Sequence, residues 1–313
     1  MNQVLKNKIY EAQCLGNVEP IEYMVPYPNT SALLEGQNIK HANQVIYESL
    51  EITNKTFFEK VQQTAHWLES LGLKPKDRLY LPSHSFPISE ILAFGTWYLG
   101  ATVVIAKELP QNTILNSIHC RNITPTDIDF FSSISIFDST YIPSYKPNLR
   151  DEGVLFIDEN KVIQLSHYNL LVNTNGIQQS IGLTGGEKIF SDLKAYSMEW
   201  LIFQTILPFY AASLFTSHNP DIVFGQNNQF EKQSYTFCHE LSTFSSIKDS
   251  SILICPENTC ALSIGNKPIH MTHINSKKNH LSIKGHSVMM GYVNEVENGR
   301  IFKDNSMILT YMS

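Results

Sequence analysis

The sequence is short of charge. Only 17% of its 313 residues are Asp, Glu, Lys or Arg, against roughly 25% in an average domain, so Asn, Gln, Ser and Thr must cover much of the surface. The formal net charge of −6 gives no attraction to polyanions and argues against nucleic acid as a partner. No apolar run approaches the roughly eighteen residues of a membrane span, and the N-terminal stretch MNQVLKNKIYEAQCLGNVEP lacks the apolar core of a signal peptide. A cytoplasmic protein without a membrane span is expected. The cysteines (Cys14, Cys120, Cys238, Cys255, Cys260) are odd in number and nowhere spaced as C-x-x-C. That argues against a disulfide framework and a structural zinc site, and they read as reduced, mostly buried thiols.

What is present is 42% hydrophobic residues, enough for a large core and two or three structural units. Residues 44–106 are the best organised. Val45, Tyr47 and Ser49 alternate with Ile46, Glu48 and Leu50, a short-strand pattern ending near Thr53. Thr56-x-x-Glu59 fits a capping box, and Phe58, Val61, Ala65, Leu68 and Leu71 recur at helical spacing up to Gly72. The strand RLYL follows the turn at residues 74–77. Pro87 then opens a second helix with Ile88, Ile91, Leu92, Gly95 and Leu99 on one face, and Gly100 ends it before the strand TVVIA. Strand, helix and strand in that order imply a parallel sheet.

Residues 107–150 read as a loop-rich connection with one or two weak strands. Beyond them, VLFID, a turn, a short strand and a helix capped near Ser166 restore order. Residues 198–215 read as a helix around Trp200–Leu207 and a strand at Ser213–Thr216. From residue 252 short β segments follow one another between Gly, Asn and Lys turns. The expected organisation is interleaved α/β subdomains over 1–251 and a smaller β-rich, barrel-like unit over 252–313.

Three stretches carry a resemblance. VIYESLEITNKTFFEKVQQTAHWLESLGLKPKDRLYL, LSHYNLLVNT and GNKPIHMTHINSKKNHLSIKGHSVMMGYVNE resemble the large N-terminal part of the adenylate-forming superfamily of acyl-CoA synthetases, nonribosomal peptide synthetase adenylation domains and luciferases. The third is the most specific, with Gly285, Val288, Met289, Gly291, Tyr292 and Asn294 in register. The resemblance implies an α/β fold with parallel-sheet subdomains. It also implies a two-step chemistry, in which ATP activates a carboxylate as an acyl-AMP and a thiol then takes the acyl group.

The motifs that would serve ATP depart from that pattern. Where a Gly/Ser/Thr-rich loop should follow VLFI and wrap the phosphates with backbone N–H groups, alignment puts Lys161 on the loop lysine and leaves Asp158-Glu159-Asn160 for everything else. That length suits a tight turn, most simply a hairpin. At ~4 Å and an effective dielectric near 20, each carboxylate facing a phosphate costs about 4 kcal/mol. Ile254 stands where an adenine-stacking aromatic belongs, and Glu257 is the remnant of the family's Mg²⁺-binding glutamate. Met312 falls on the ribose-binding aspartate, with Asp304 as a shifted alternative. The family's C-terminal lid has no counterpart in this sequence, so no ATP, AMP or Mg²⁺ is expected unless the chain is an active ligase with shortened motifs or with a lid supplied in trans. Acyl transfer to a thiol without ATP is a further alternative.

Remaining candidates have plain structural readings beside the functional ones. The segment with Tyr196, Trp200 and Gln204 would supply part of an acyl pocket, although core packing explains its aromatics equally well. Ser166 and His167 suit a helix cap better than a nucleophile and base, because adjacent helical residues do not face each other. Cys238-His239-Glu240 holds the residue types of thiol chemistry but no geometry. Lys267, Lys277, Lys278 and Lys284, with His270, His273, His280 and His286, lie in a stretch without acids. They form either a solvated hairpin or a basic face for an acidic carrier protein. A degenerate acyl-CoA synthetase-like protein that has lost ATP-dependent adenylation and binds an acyl or aryl carboxylate, a CoA-type ligand, a nucleotide fragment or a carrier or pathway partner is the resulting expectation.

Overall fold

The computed structural model describes residues 2–23, 25–106, 108, 110–122, 129–225 and 233–311. A six-stranded sheet runs in the order Gly291–Tyr292, Lys161–Ser166, Glu152–Asp158, Thr102–Ala106, Arg78–Tyr80, Cys120–Arg121. Its four strands from Glu152–Asp158 to Cys120–Arg121 are parallel. The strand Thr102–Ala106 is buried along its whole length, as expected for a strand covered on both faces. Lys161–Ser166 turns back antiparallel, with Asp158 opposite Lys161, so the expected hairpin is present.

A nine-stranded sheet lies beside it. Its order is Lys267–Pro268, Ala261–Ile264, Ser251–Ile254, Gln233–Cys238, Ile222–Phe224, Lys188–Ser191, Leu214–Phe215, Val45–Tyr47, Ile52–Thr53. The six central strands, Ser251–Ile254 through Val45–Tyr47, are parallel. A third sheet of four antiparallel strands, Thr272–Lys277, His280–Gly285, Ser306–Thr310 and Phe302–Lys303, completes the chain. The separate β-rich unit expected from residue 252 therefore begins only at Thr272. Strands between 251 and 268 extend the large sheet, and local alternation carries no information about which sheet a strand joins.

Local chemistry sets the helices that cover these sheets. Thr53, not Thr56, caps the helix Asn54–Ser70; its side chain accepts from the Thr56 N–H while Thr56 answers as the box partner. A hydroxyl thus does what the expected Glu59 would have done, three residues earlier. The helix ends with Leu71 as cap and Gly72 at φ 84°, a left-handed position that costs glycine little. The strand expected through Thr53 is instead two short antiparallel strands around a single 3₁₀ turn, Glu48–Leu50. Helix Ile88–Leu99 packs on Asn54–Ser70 so closely that a Cβ on Gly95 would stand 2.6 Å from Thr64 Cγ2.

The helix expected around Trp200–Leu207 is present, wound as a π-helix over residues 200–206 and continued by one α-turn at Leu207–Tyr210. Of the five free cysteines only Cys255 and Cys260 are buried. Within the connection 107–150, two six-residue helices, Asn112–Ser117 and Phe130–Ser135, flank the short strand Cys120–Arg121. Among the described residues no helix is long and apolar enough to cross a membrane.

Candidate functional site

In a parallel sheet the carboxyl ends of the strands point to one rim, where ligands are usually held. Three strand ends from the two large sheets meet here. Phe156 and Asp158 close the strand Glu152–Asp158, His239 and Leu241 follow Gln233–Cys238, and Ile254 to Glu257 follow Ser251–Ile254. Together with Tyr196, Ser197 and Glu199 they line a cleft of about 410 Å³, within the ~300–1,000 Å³ usual for small-molecule sites.

The lining contains three carboxylates (Asp158, Glu199, Glu257), one histidine and no lysine or arginine. Glu199 is buried and faces the exposed His239, with Oε1 3.3 Å from Nε2. Glu257 is held at both oxygens: the Tyr292 hydroxyl donates to Oε1 at 2.7 Å and the Cys255 thiol donates to Oε2 at 3.6 Å. Its carbonyl accepts from the Met289 N–H at 2.9 Å. Burial, and then the nearby Glu257 charge, push the Cys255 thiol well above its ordinary pKa. It is therefore a protonated donor rather than a nucleophile at neutral pH. The same two causes raise the Tyr292 hydroxyl.

Tyr196 and Glu257 line the cleft as candidates from the sequence, and Ile254 lines it without supplying a stacking ring. Lys161 is exposed, its ammonium 5.8 Å from the Tyr292 ring centroid, and is not part of the lining. Trp200 and Gln204 lie behind the cleft wall. Trp200 Nε1 and Gln204 Nε2 both donate to Oε1 of Glu90, at 2.7 and 2.9 Å, and Glu90 is 1% exposed. Gln204 Oε1 also accepts from Ser191 and the Leu193 N–H. They brace the segment carrying Tyr196 and Glu199. Asp304 and Asn305, at φ 50° and 56°, form the exposed two-residue turn between Phe302–Lys303 and Ser306–Thr310, away from the cleft. Met312 lies outside the described residues.

The other motifs resolve into structural roles. Ser166 caps the helix His167–Ile181 and exchanges hydrogen bonds with Asn169. His167 is buried, its Nδ1 2.9 Å from the Thr30 hydroxyl, and burial pulls its pKa down to about 4. Cys238 contacts Thr243 while His239 turns to Glu199, so the Cys-His-Glu run does not act as one group. In the four-stranded sheet, Lys277 pairs with His280 and Lys284 with His273, which places these four residues on one face. Lys267 belongs to the edge of the nine-stranded sheet, and His286 is fully buried against Tyr168. The basic face is thus smaller than the sequence suggests.

Sequence reasoning missed Phe156, Glu199, His239 and Leu241 as cleft residues. Only their position at or just beyond strand ends, or on the approach to the 200–206 turn, could have marked them. Among the described residues, no group of three or more His, Cys, Asp and Glu side chains is placed to hold a metal ion.

No family model matches the sequence, and no curated protein is similar to it in sequence. Solved structures do match. The anthranilate CoA ligase AuaEII in complex with anthranoyl-AMP superposes with a TM-score of 0.70 at 13% identity, over 92% of this chain and 75% of that one. A benzoate CoA ligase from Burkholderia xenovorans LB400 gives 0.72 at 15% identity, over 89% and 76%. VinN gives 0.73 at 11% identity, over 91% and 97%. The chain therefore has the fold of the N-terminal part of the adenylate-forming acyl- and aryl-CoA ligases.

Proposed function

We propose that this chain is a ligand-binding derivative of that fold, one that holds a small acyl or aryl ligand in the cleft without activating it with ATP. The observation that carries the reading is the turn at Glu159–Asn160. Asp158 and Lys161 face each other as the last pair of the hairpin, and Glu159 stands at φ 52°. Two residues offer no run of free N–H groups to wrap a triphosphate. The residues present do not fit the group: Asp158, Glu199 and Glu257 line the space, and each carboxylate within ~4 Å of a phosphate would cost about 4 kcal/mol at an effective dielectric near 20. Ile254 offers adenine an aliphatic contact but no stacking face.

The cleft instead suits a ligand with an apolar body against Phe156, Tyr196, Leu241 and Ile254 and hydrogen-bond donors toward the carboxylates. The basic face at Lys277 and Lys284, with Lys278 in the adjoining turn, would steer an acidic carrier protein, and that association should weaken as salt rises. ATP–pyrophosphate exchange, run with a hydroxamate trap over carboxylic acids that include benzoate and anthranilate, tests the main reading. No exchange above background is expected. Sustained turnover with any acid would refute it.

A further inference from the structure

A second cavity, of about 250 Å³, lies at the opposite end of the hairpin from the cleft. Asp158 stands beside the cleft, whereas Arg150 and Ser166, beside the other end of the same strand pair, line this cavity. Six residues separate the two ends, roughly 20 Å at ~3.3 Å per residue. The N-terminal helix Gln3–Gln13 forms one wall, tethered by Gln13 Nε2, which donates to the carbonyls of Val288 and Met289 at 3.1 and 3.0 Å.

The lining is mostly apolar, with Ile9, Ile21 and Met290 among its walls, and two cations, Lys6 and Arg150, belong to it as well. Neither cation's side chain has an ion pair or hydrogen bond with a described residue. Two carboxylates stand nearby and keep their charge: Glu19 accepts from the Tyr10 hydroxyl, and Glu22 accepts from the Glu19 N–H at 2.9 Å. His286 lines the cavity in a fully buried position, its Nδ1 2.7 Å from the Tyr168 hydroxyl. An apolar slot edged by two exposed cations, neither in an ion pair with a described residue, matches a molecule with a negative head and a hydrophobic body. The volume falls below the ~300–1,000 Å³ of ordinary ligand pockets, so the part of a ligand seated inside it must be small.

We propose that this cavity is a second ligand site, separate from the cleft, which takes a small carboxylate with an aliphatic or aromatic body, its head against Arg150 and Lys6. The site does not depend on whether the cleft binds anything. Protein labelled at isoleucine δ1 and methionine ε methyls is titrated by NMR with hexanoate and benzoate, then with hexanamide and benzamide. Ile9, Ile21 and Met290 report on the cavity and Ile254 on the cleft. The acids are expected to move the cavity methyls saturably, the amides to bind about tenfold more weakly or worse, and the exposed-site variants Arg150→Ala and Lys6→Ala each to lose about tenfold in affinity for the acids. Amides binding as well as acids, variants binding as well as wild type, or shifts confined to Ile254 would each overturn the proposal. So would the absence of saturable shifts at millimolar acid, and a cleft that binds nothing would leave it standing.

Discussion

Glu90 is a buried carboxyl with one oxygen fully used and the other, Oε2, without a hydrogen-bond partner among the described residues. Burial raises its pKa above the ordinary 4.5, against the opposing effect of the Trp200 and Gln204 donors. Between the unfolded and folded values the unfolded chain binds fewer protons than the folded one. Stability contributed by the neutral carboxyl is therefore complete below about 4.5 and is lost as pH rises through the folded pKa. Within that window the loss is about 1.4 kcal/mol per pH unit. Glu90→Gln keeps an acceptor for both donors and mimics the neutral acid. It should match wild type at acidic pH and become the more stable protein as pH rises, by up to that slope. Glu90→Ala should instead cost about 3–5 kcal/mol at acidic pH, because it strands two buried donors and opens a cavity, and its deficit relative to wild type should narrow as pH rises. Urea unfolding followed by tryptophan fluorescence, repeated between about pH 5 and pH 8, reads all three. Parallel stability curves for wild type and Glu90→Gln would mean that Glu90 does not titrate as argued.

Three shorter predictions follow from the same kind of reasoning. Gly95→Ala should destabilise by about 1–3 kcal/mol in urea melts, since its new methyl collides with Thr64 across the helix pair. His167 should remain neutral in an NMR titration down to about pH 4, and stability should fall by about 3 kcal/mol as pH drops from 6.5 toward 4, where the unfolded chain takes up a proton that the folded one refuses. In native protein at mildly alkaline pH, alkylation should spare Cys255 and Cys260, both buried with strongly raised pKa values, and reach them only after unfolding. Mass spectrometry of tryptic peptides checks this.

Sequence and structure agree best where one residue's chemistry decides the outcome locally. Gly72, Gly100 and Ser166 stop or start helices at the expected places because backbone conformation and a side-chain acceptor act within one turn. The hairpin at 158–161 was legible for the same reason. The π-helix at 200–206 was not: it is read as helical from periodicity, and its wider winding accompanies Trp200 and Gln204 meeting Glu90, more than a hundred residues away in sequence. Within the candidate site, Tyr196 and Glu257 could be named in advance, while Glu199 could not and His239 was named only within the Cys-His-Glu run, since the pairing of Glu199 with His239 joins separate segments.

By itself the sequence determined the alternation of strands and helices, the replacement of a phosphate-wrapping loop by two turn residues, and the low surface charge. These depend on contacts within a few residues. The tertiary structure decided which sheet each short strand joined, which carboxylates share a cleft, and that Lys6 and Arg150 edge a common apolar cavity. Those facts arise from long-range packing, where burial and neighbours rather than residue type set what a side chain can do.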